Sequence, residues 1–261
     1  MYSEEHKLYL KKIKKYNFLV KFFQIIILIL LLLLWQFLAD KEIINSFITS
    51  SPKEIIKMIV HLHKTNNLYQ HIWTTIYETM ISFILGTFLG CIIASILWWN
   101  KFVSKIIDPF LTILNSLPKV ALGPIIIIWF GAGIKSIIIM SLLISLIITI
   151  INVAEGFDKT DENKIKLLKS FKAKKYQIFF KLVLPYNYKT IINALKINIS
   201  MSLIGVIMGE FLVSKKGIGY LIIYGSQVFN LSLVMTGIVL LAIVSIIMYY
   251  SVSYIEKRLL K

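Results

Sequence analysis

Long apolar runs, broken by short polar stretches, set the pattern of this chain. Six runs are long enough to cross a bilayer, at about 18–39, 74–97, 106–130, 134–153, 190–212 and 231–253. A membrane helix needs about 20 mostly apolar residues. Pro118 and Pro124 interrupt the third run, and such prolines are tolerated where neighbouring groups satisfy the freed carbonyls. Of 261 residues 57% are hydrophobic, and a soluble core of that size has no use for continuous apolar runs. The chain therefore reads as an all-α polytopic membrane protein. The first run follows Lys7, Lys11, Lys12, Lys14 and Lys15, as the core of a signal peptide would. It is too long for one, and Leu38-Ala39-Asp40-Lys41 is a poor cleavage site, so it is expected to remain as a first span.

The polar stretches differ in kind. After the first span, Ser51-Pro52 makes a good helix start, with Pro at the first helical position. Ile55, Ile56, Ile59 and Leu62 are expected to line one face of the short helix that follows. The stretch from Asn163 to Pro185, NKIKLLKSFKAKKYQIFFKLVLP, is far too polar to cross a membrane. Yet Ile165, Leu168, Tyr176, Phe179 and Val183 recur at helical spacing, so this stretch has an apolar face to bury. Outside the membrane such a face needs a partner.

Charge gives the orientation. The net charge is +16, and Arg258 is the one basic residue that is not a lysine. A basic balance can signal nucleic acid, but these lysines sit mostly between apolar runs, so topology accounts for them and no nucleic acid is expected. With the N-terminus inside, segments 1–21, 98–108, 154–189 and 254–261 carry 20 basic residues against 7 on the opposite side. The positive-inside rule then puts both termini and the lysine-rich loop in the cytoplasm. The expected organisation is a basic cytoplasmic N-terminus (1–17), one transmembrane domain (18–253) containing the loop 154–189, and a cytoplasmic C-terminus (254–261).

Candidate chemistry is sparse. There is no phosphate-binding loop; Gly131-Ala132-Gly133-Ile134-Lys135-Ser136 has its Lys displaced by one residue and reads as a tight turn. His61 and His63 fall on different sides of a helix, and with His71 they lack a Cys or close carboxylate to complete a metal site. No metal and no cofactor are expected. Cys91, the single cysteine, reads as a small buried hydrophobe. Gly86 with Gly90, and Gly205 with Gly209, have the spacing that lets membrane helices approach closely. Lys119, Lys196 and Glu210 lie at or near membrane depth. There a charge either faces a protein interior or water path, or sits at the interface; both readings stay open, with Lys196 placed to snorkel inward.

The lysine-rich stretch resembles the EAA loop of bacterial ABC-importer permeases, which runs E-A-A, then a Gly, then ends in Leu-Pro. Lys166-Leu167-Leu168 stand at the E-A-A positions, Lys172 at the Gly, Ala173 after it, and Val183-Leu184-Pro185 at the end. The acidic residue and the Gly are missing. A residue with a side chain at the Gly position either takes a positive φ at some cost or stays helical. Pro118-Lys119-Val120-Ala121-Leu122-Gly123-Pro124 with Trp129-Phe130-Gly131-Ala132-Gly133, and Gly209-Glu210-Phe211-Leu212 with Gly217-Ile218-Gly219, resemble segments of the permeases for nitrate, sulfonates, taurine and pyrimidine precursors. So do Ser51-Pro52, Asn67-Leu68, and His71 with Thr75.

That resemblance implies about six transmembrane helices with a cytoplasmic coupling helix between spans four and five. It implies a transport subunit in a bacterial inner membrane, not an enzyme. The partners would be a cytoplasmic ATPase subunit, an extracytoplasmic substrate-binding protein, a second permease copy and the surrounding bilayer. Lys166, Leu167, Leu168, Phe171, Lys172, Ala173, Leu184 and Pro185 would carry the ATPase contact. Pro118, Lys119 and Glu210 would lie on the translocation path, and the four glycines would pack helices. The alternative is a self-contained secondary transporter or channel, which calls for ionisable groups at depth and an internal repeat. No repeat is visible. An intramembrane enzyme would need a catalytic set that the spans lack.

Overall fold

The computed structural model describes residues 4–65 and 67–259. They form helices and turns, with no strand among the described residues. Of the expected terminal segments, residues 1–3 and 260–261 lie outside the described residues.

Helix α1 (Glu4–Asp40) runs unbroken from the basic segment through the first apolar run, so residue 17 marks no structural break. None of its most apolar window is buried against the rest of the chain, which leaves that surface to lipid. Helix α2 (Pro52–Lys64) starts as its sequence predicts, with Ser51 Oγ accepting from the Glu54 N–H at 3.3 Å. Ile55 and Leu62 are buried and Ile59 half-buried. Ile56, expected on the same face, is 63% exposed; it follows Ile55 by one residue, and neighbours on a helix point about 100° apart.

The longer helices that follow are α3 (Asn67–Trp99), α4 (Lys101–Ser116), α5 (Gly123–Phe130), α6 (Ile134–Asp158), α7 (Glu162–Ser170), α8 (Tyr188–Val213), α9 (Ile218–Gln227) and α10 (Leu231–Leu259). Five helices (α1, α3, α6, α8 and α10) are long and apolar enough to cross a membrane. The third expected span is not one straight helix: α4 and the 119–130 segment meet at 90°. Proline disfavours the α conformation in the residue before it, and Leu117 is accordingly extended (φ −64°, ψ 140°) ahead of Pro118. A 3₁₀ turn over Lys119–Leu122 then leads into α5, which has Pro124 in its first turn.

The centre of the molecule is α3, α6 and α8. The inward face of α3 is Thr75, Glu78, Thr79, Ser82, Gly86 and Gly90 at helical spacing, while Phe88, Ile92 and Ile96 point outward. This inverts the soluble pattern, because lipid already accepts large apolar side chains and helices associate through small residues. The glycines sit where backbones crowd. A Cβ on Gly205 would lie 2.4 Å from Ser141 Cα, and one on Gly209 2.9 Å from Ile137 Cα, so α6 and α8 nearly touch. Between α3 and α6, a Cβ on Gly86 would meet Ser145 Oγ at 2.8 Å and one on Gly90 would meet Thr149 Cγ2 at 2.6 Å. Polar links cross the seams as well: between α6 and α8, Ser141 Oγ donates to the Ser202 carbonyl at 2.8 Å, and between α8 and α3, Asn198 Nδ2 donates to Thr87 Oγ1 at 2.6 Å. Helices α2, α9 and α10 pack on Leu203 and Ile207 of α8 through Leu62, Leu221, Leu240 and Val244. Lys196, expected to snorkel inward, reaches Glu256 near the C-terminal end of α10 and pairs with it at 2.5 Å, Glu256 buried and Lys196 half-buried.

Candidate coupling site

The connection from α6 to α8 builds a small folded unit. Asp161 caps α7, accepting from the Asn163 N–H at 2.8 Å. At the other end, Phe171 is the last half-helical residue and Lys172 takes φ +58°. The Ala173 N–H reaches the Leu168 carbonyl at 3.0 Å, and the Lys172 N–H the Lys169 carbonyl at 2.8 Å. These are the two bonds of a Schellman ending, with Lys172 in the left-handed position that glycine favours. Of the two conformations open to Lys172 from sequence, the chain adopts the turn.

After this turn the chain forms a helical turn over Lys175–Ile178, widens to π-type bonding over Phe179–Val183, and re-enters the bundle through Leu184–Tyr186. The Leu184 N–H bonds to the Phe179 carbonyl, five residues back. Pro185 has no N–H to offer the carbonyl of Lys181, which gives a reason for the widening at this point. Asn187 closes the unit: its Nδ2 donates to Thr160 Oγ1 at 2.7 Å and to the Val183 carbonyl at 2.9 Å. Asn187 and Thr160 are both buried.

The unit has two faces. Ile178, Phe179 and Val183 are buried against Ala94, Trp98, Val153, Phe157 and Ala194, with Ile165, Leu168, Ala173 and Leu184 half-buried beside them. The Phe179 ring lies 5.0 Å from Trp98 and 5.5 Å from Phe157. The apolar stripe expected to need a partner thus finds it in the ends of α3, α6 and α8. Tyr176, counted in that stripe, is instead half exposed. Leu168, expected to contact the ATPase, turns inward, because it lies at C3 of the Schellman ending, where an inward contact with Ala173 accompanies the motif. The outward face holds Leu167, 56% exposed, and Phe171, 73% exposed, and Lys166, Lys169, Lys172 and Lys174 along the same stretch are exposed too. Pro185 is also exposed. Behind α7 a groove of about 500 Å³ opens between Trp98, Lys101, Phe157 and Lys169. Lys101 pairs with Asp158 across it, and Lys175 Nζ donates to the Trp99 carbonyl at 2.6 Å.

The other candidate residues lie apart. Pro118 is exposed at the elbow, and Lys119 beside it donates from Nζ to the Asn115 carbonyl at 2.8 Å. Glu210, expected on the path, is 1% exposed near the end of α8 that lies away from the coupling unit. Its Oε1 accepts from Thr75 Oγ1 at 2.6 Å and its Oε2 from the Gly219 N–H at 2.5 Å. A Cβ on Gly217, which has φ +105°, would fall 2.3 Å from the Glu210 carboxyl carbon. The glycine turn is therefore wrapped around this carboxylate, which is closed off from any open surface. The sequence reading missed Glu78, equally buried on α3. Its signal was the polar series Thr75, Glu78, Thr79 and Ser82 at helical spacing.

A family profile described as binding-protein-dependent transport system inner membrane component matches residues 86–261. The chain belongs to this family. It is a multi-pass membrane permease subunit of an ABC importer, and membership implies an ATPase subunit and a substrate-binding protein as partners. Among relatives, a protein named as a probable ABC transporter permease of Haemophilus influenzae is 28% identical over 228 residues, covering 87% of this chain and 92% of that one. The putative aliphatic sulfonates transport permease SsuC of Bacillus subtilis is 25% identical, covering 87% and 83%. The formylaminopyrimidine transport permease ThiX of Halalkalibacterium halodurans is 26% identical over 192 residues, covering 74% and 76%. In three dimensions, a chain of the inward-facing MetNI methionine ABC transporter superposes with a TM-score of 0.64 at 19% identity, covering 75% of this chain and 97% of that one. At that identity the likeness speaks for the fold alone.

Proposed function

We propose that this permease forms half of a homodimeric importer for a small organic anion of the sulfonate type and takes its driving force from an ATPase docked on α7. One observation carries the docking: Leu167 and Phe171 are exposed on the outward face of a unit whose other face is packed on the bundle. In water that exposure wastes apolar area, whereas in an apolar groove each side chain is worth about 1.5–3 kcal/mol. The exposed lysines suit a groove with an acidic rim. Lys166, Lys172 and Ala173 shape this contact, and Leu168, Leu184 and Pro185 position it. The lysine bias supports a cytoplasmic loop and termini. Hydrolysis would then belong to the ATPase and not to this chain.

The elbow supports a second copy. Asn115 and Ser116 are exposed there and Lys119 is half-exposed, and polar groups at membrane depth are costly against lipid. A facing elbow enclosing a water path would cover them, and Lys119 would then meet an anion. The anionic substrate class follows the aliphatic sulfonates permease among the relatives.

The docking is tested by co-purification. Phe171→Asp and Leu167→Asp should each lower recovery of the ATPase with the tagged permease by about tenfold or more, with the permease still inserted in membranes. Unchanged recovery in both would overturn the docking role.

A further inference from the structure

At the 214–217 end of the bundle, Glu78 of α3 and Glu210 of α8 are both 1% exposed, and Glu78 lies one helical turn beyond Thr75, whose hydroxyl donates to Glu210 at 2.6 Å, so the two carboxyl groups face each other in one buried site. Such a pairing requires a proton. Among the described residues no salt bridge reaches either group, so none of their cations neutralises the pair. Two ionised carboxylates facing each other without a counter-charge cannot persist in a buried site.

The surroundings decide which carboxyl carries the proton. Glu210 is placed as an acceptor on both oxygens, from the Thr75 hydroxyl and the Gly219 N–H. It lies at the N-terminus of α9, where backbone N–H groups and the helix dipole favour an anion. Glu78 has no such donors, and its Oε2 is buried without any hydrogen-bond partner. We propose that Glu78 and Glu210 bind one proton between them, carried on Glu78 and donated to the Glu210 carboxylate, and that this proton-binding pair latches α3, α8 and the 214–219 turn into one block. Its neighbours extend the latch. Thr75 Oγ1 also accepts from the Ile218 N–H at 2.8 Å, and His71 Nδ1 accepts from the Gly217 N–H at 3.0 Å. Three successive turn amides are thereby held by residues of α3 and α8. The other titratable groups facing this turn include His71 and Lys216 and Tyr220, whose ring stacks on His71 at 5.8 Å. The latch stands independently of the docking role proposed for α7.

Infrared spectroscopy of the full-length permease in lipid nanodiscs at neutral pH tests it. The wild type should show a protonated-carboxyl C=O band that moves in deuterated buffer and is absent from Glu78→Gln. Glu78→Gln should keep the wild-type melting midpoint, because its amide still donates to Glu210. Glu78→Ala should not keep it. Glu210→Gln should speed amide exchange at residues 217–219 by about tenfold or more. Should the variants fail to insert, the carboxyl carbons of isotope-labelled glutamate in the wild type report the same proton directly. A wild-type spectrum without the band, or a band unchanged in Glu78→Gln, overturns the proposal. So does a wild type lacking the band whose melting midpoint rises on adding sodium or calcium, which would make the bound species a metal cation.

Discussion

Lys172 holds a left-handed conformation that costs a residue with a side chain about 1 kcal/mol, and the turn it makes sets the angle between α7 and the rest of the coupling unit. Lys172→Gly should relieve that cost and raise the permease's stability by about 1 kcal/mol or less, since glycine also frees the unfolded chain. The melting midpoint in detergent measures this, and Lys172→Val should move it the other way. At this scale the sequence was partly legible. The lysine at a glycine position pointed to a turn or a helix, and hydrogen bonds to Leu168 and Lys169 select the turn. The direction of Leu168 was not legible. Adjacent helical residues share composition but not orientation, and only packing against Ala173 and the α3 and α6 ends separates it from the exposed Leu167. Glu78 escaped because a span rich in large apolar residues masks one carboxyl at its polar end.

Among the elements, the crossing of α6 and α8 depends on two positions without side chains. Gly205→Leu would push against the Ser141 backbone, which cannot rotate out of the way as a side chain can. The expected destabilisation is at least the roughly 1–3 kcal/mol of overpacking in a dense core, read as a lower melting midpoint and less inserted protein. Gly237→Ala is the milder comparison, since its Cβ would meet the Ile222 side chain rather than backbone. The G-x-x-x-G spacing was visible in sequence, but not which helix each pair faces, because that is a long-range choice. Hydropathy likewise found the third apolar run and not its elbow. The run's composition is continuous, whereas its backbone is cut where Pro118 constrains Leu117.

For the whole molecule, the lysine bias makes a prediction that composition alone can carry. With Cys91 replaced by Ser, Lys169→Cys should react with a membrane-impermeant thiol reagent in inside-out vesicles only, and Lys215→Cys in right-side-out vesicles only. Both positions are exposed. Labelling in the reverse sense would invert the topology. The number of apolar runs was legible at this scale because bilayer thickness fixes their length. The central placement of α3, α6 and α8 was not, and neither was the separation of α1, whose apolar window touches so little of the chain.

The Asn187–Thr160 clasp has a mechanical meaning. It ties the entry and exit of the coupling unit to each other by a buried 2.7 Å bond, close to the Phe179 ring cluster. A hinge at that place would absorb a push on Phe171 as bending. Under the docking proposed above, a closed and packed base would pass it on as displacement of α6 and α8 together, and the unit would act as a stiff lever whose fulcrum lies inside the permease.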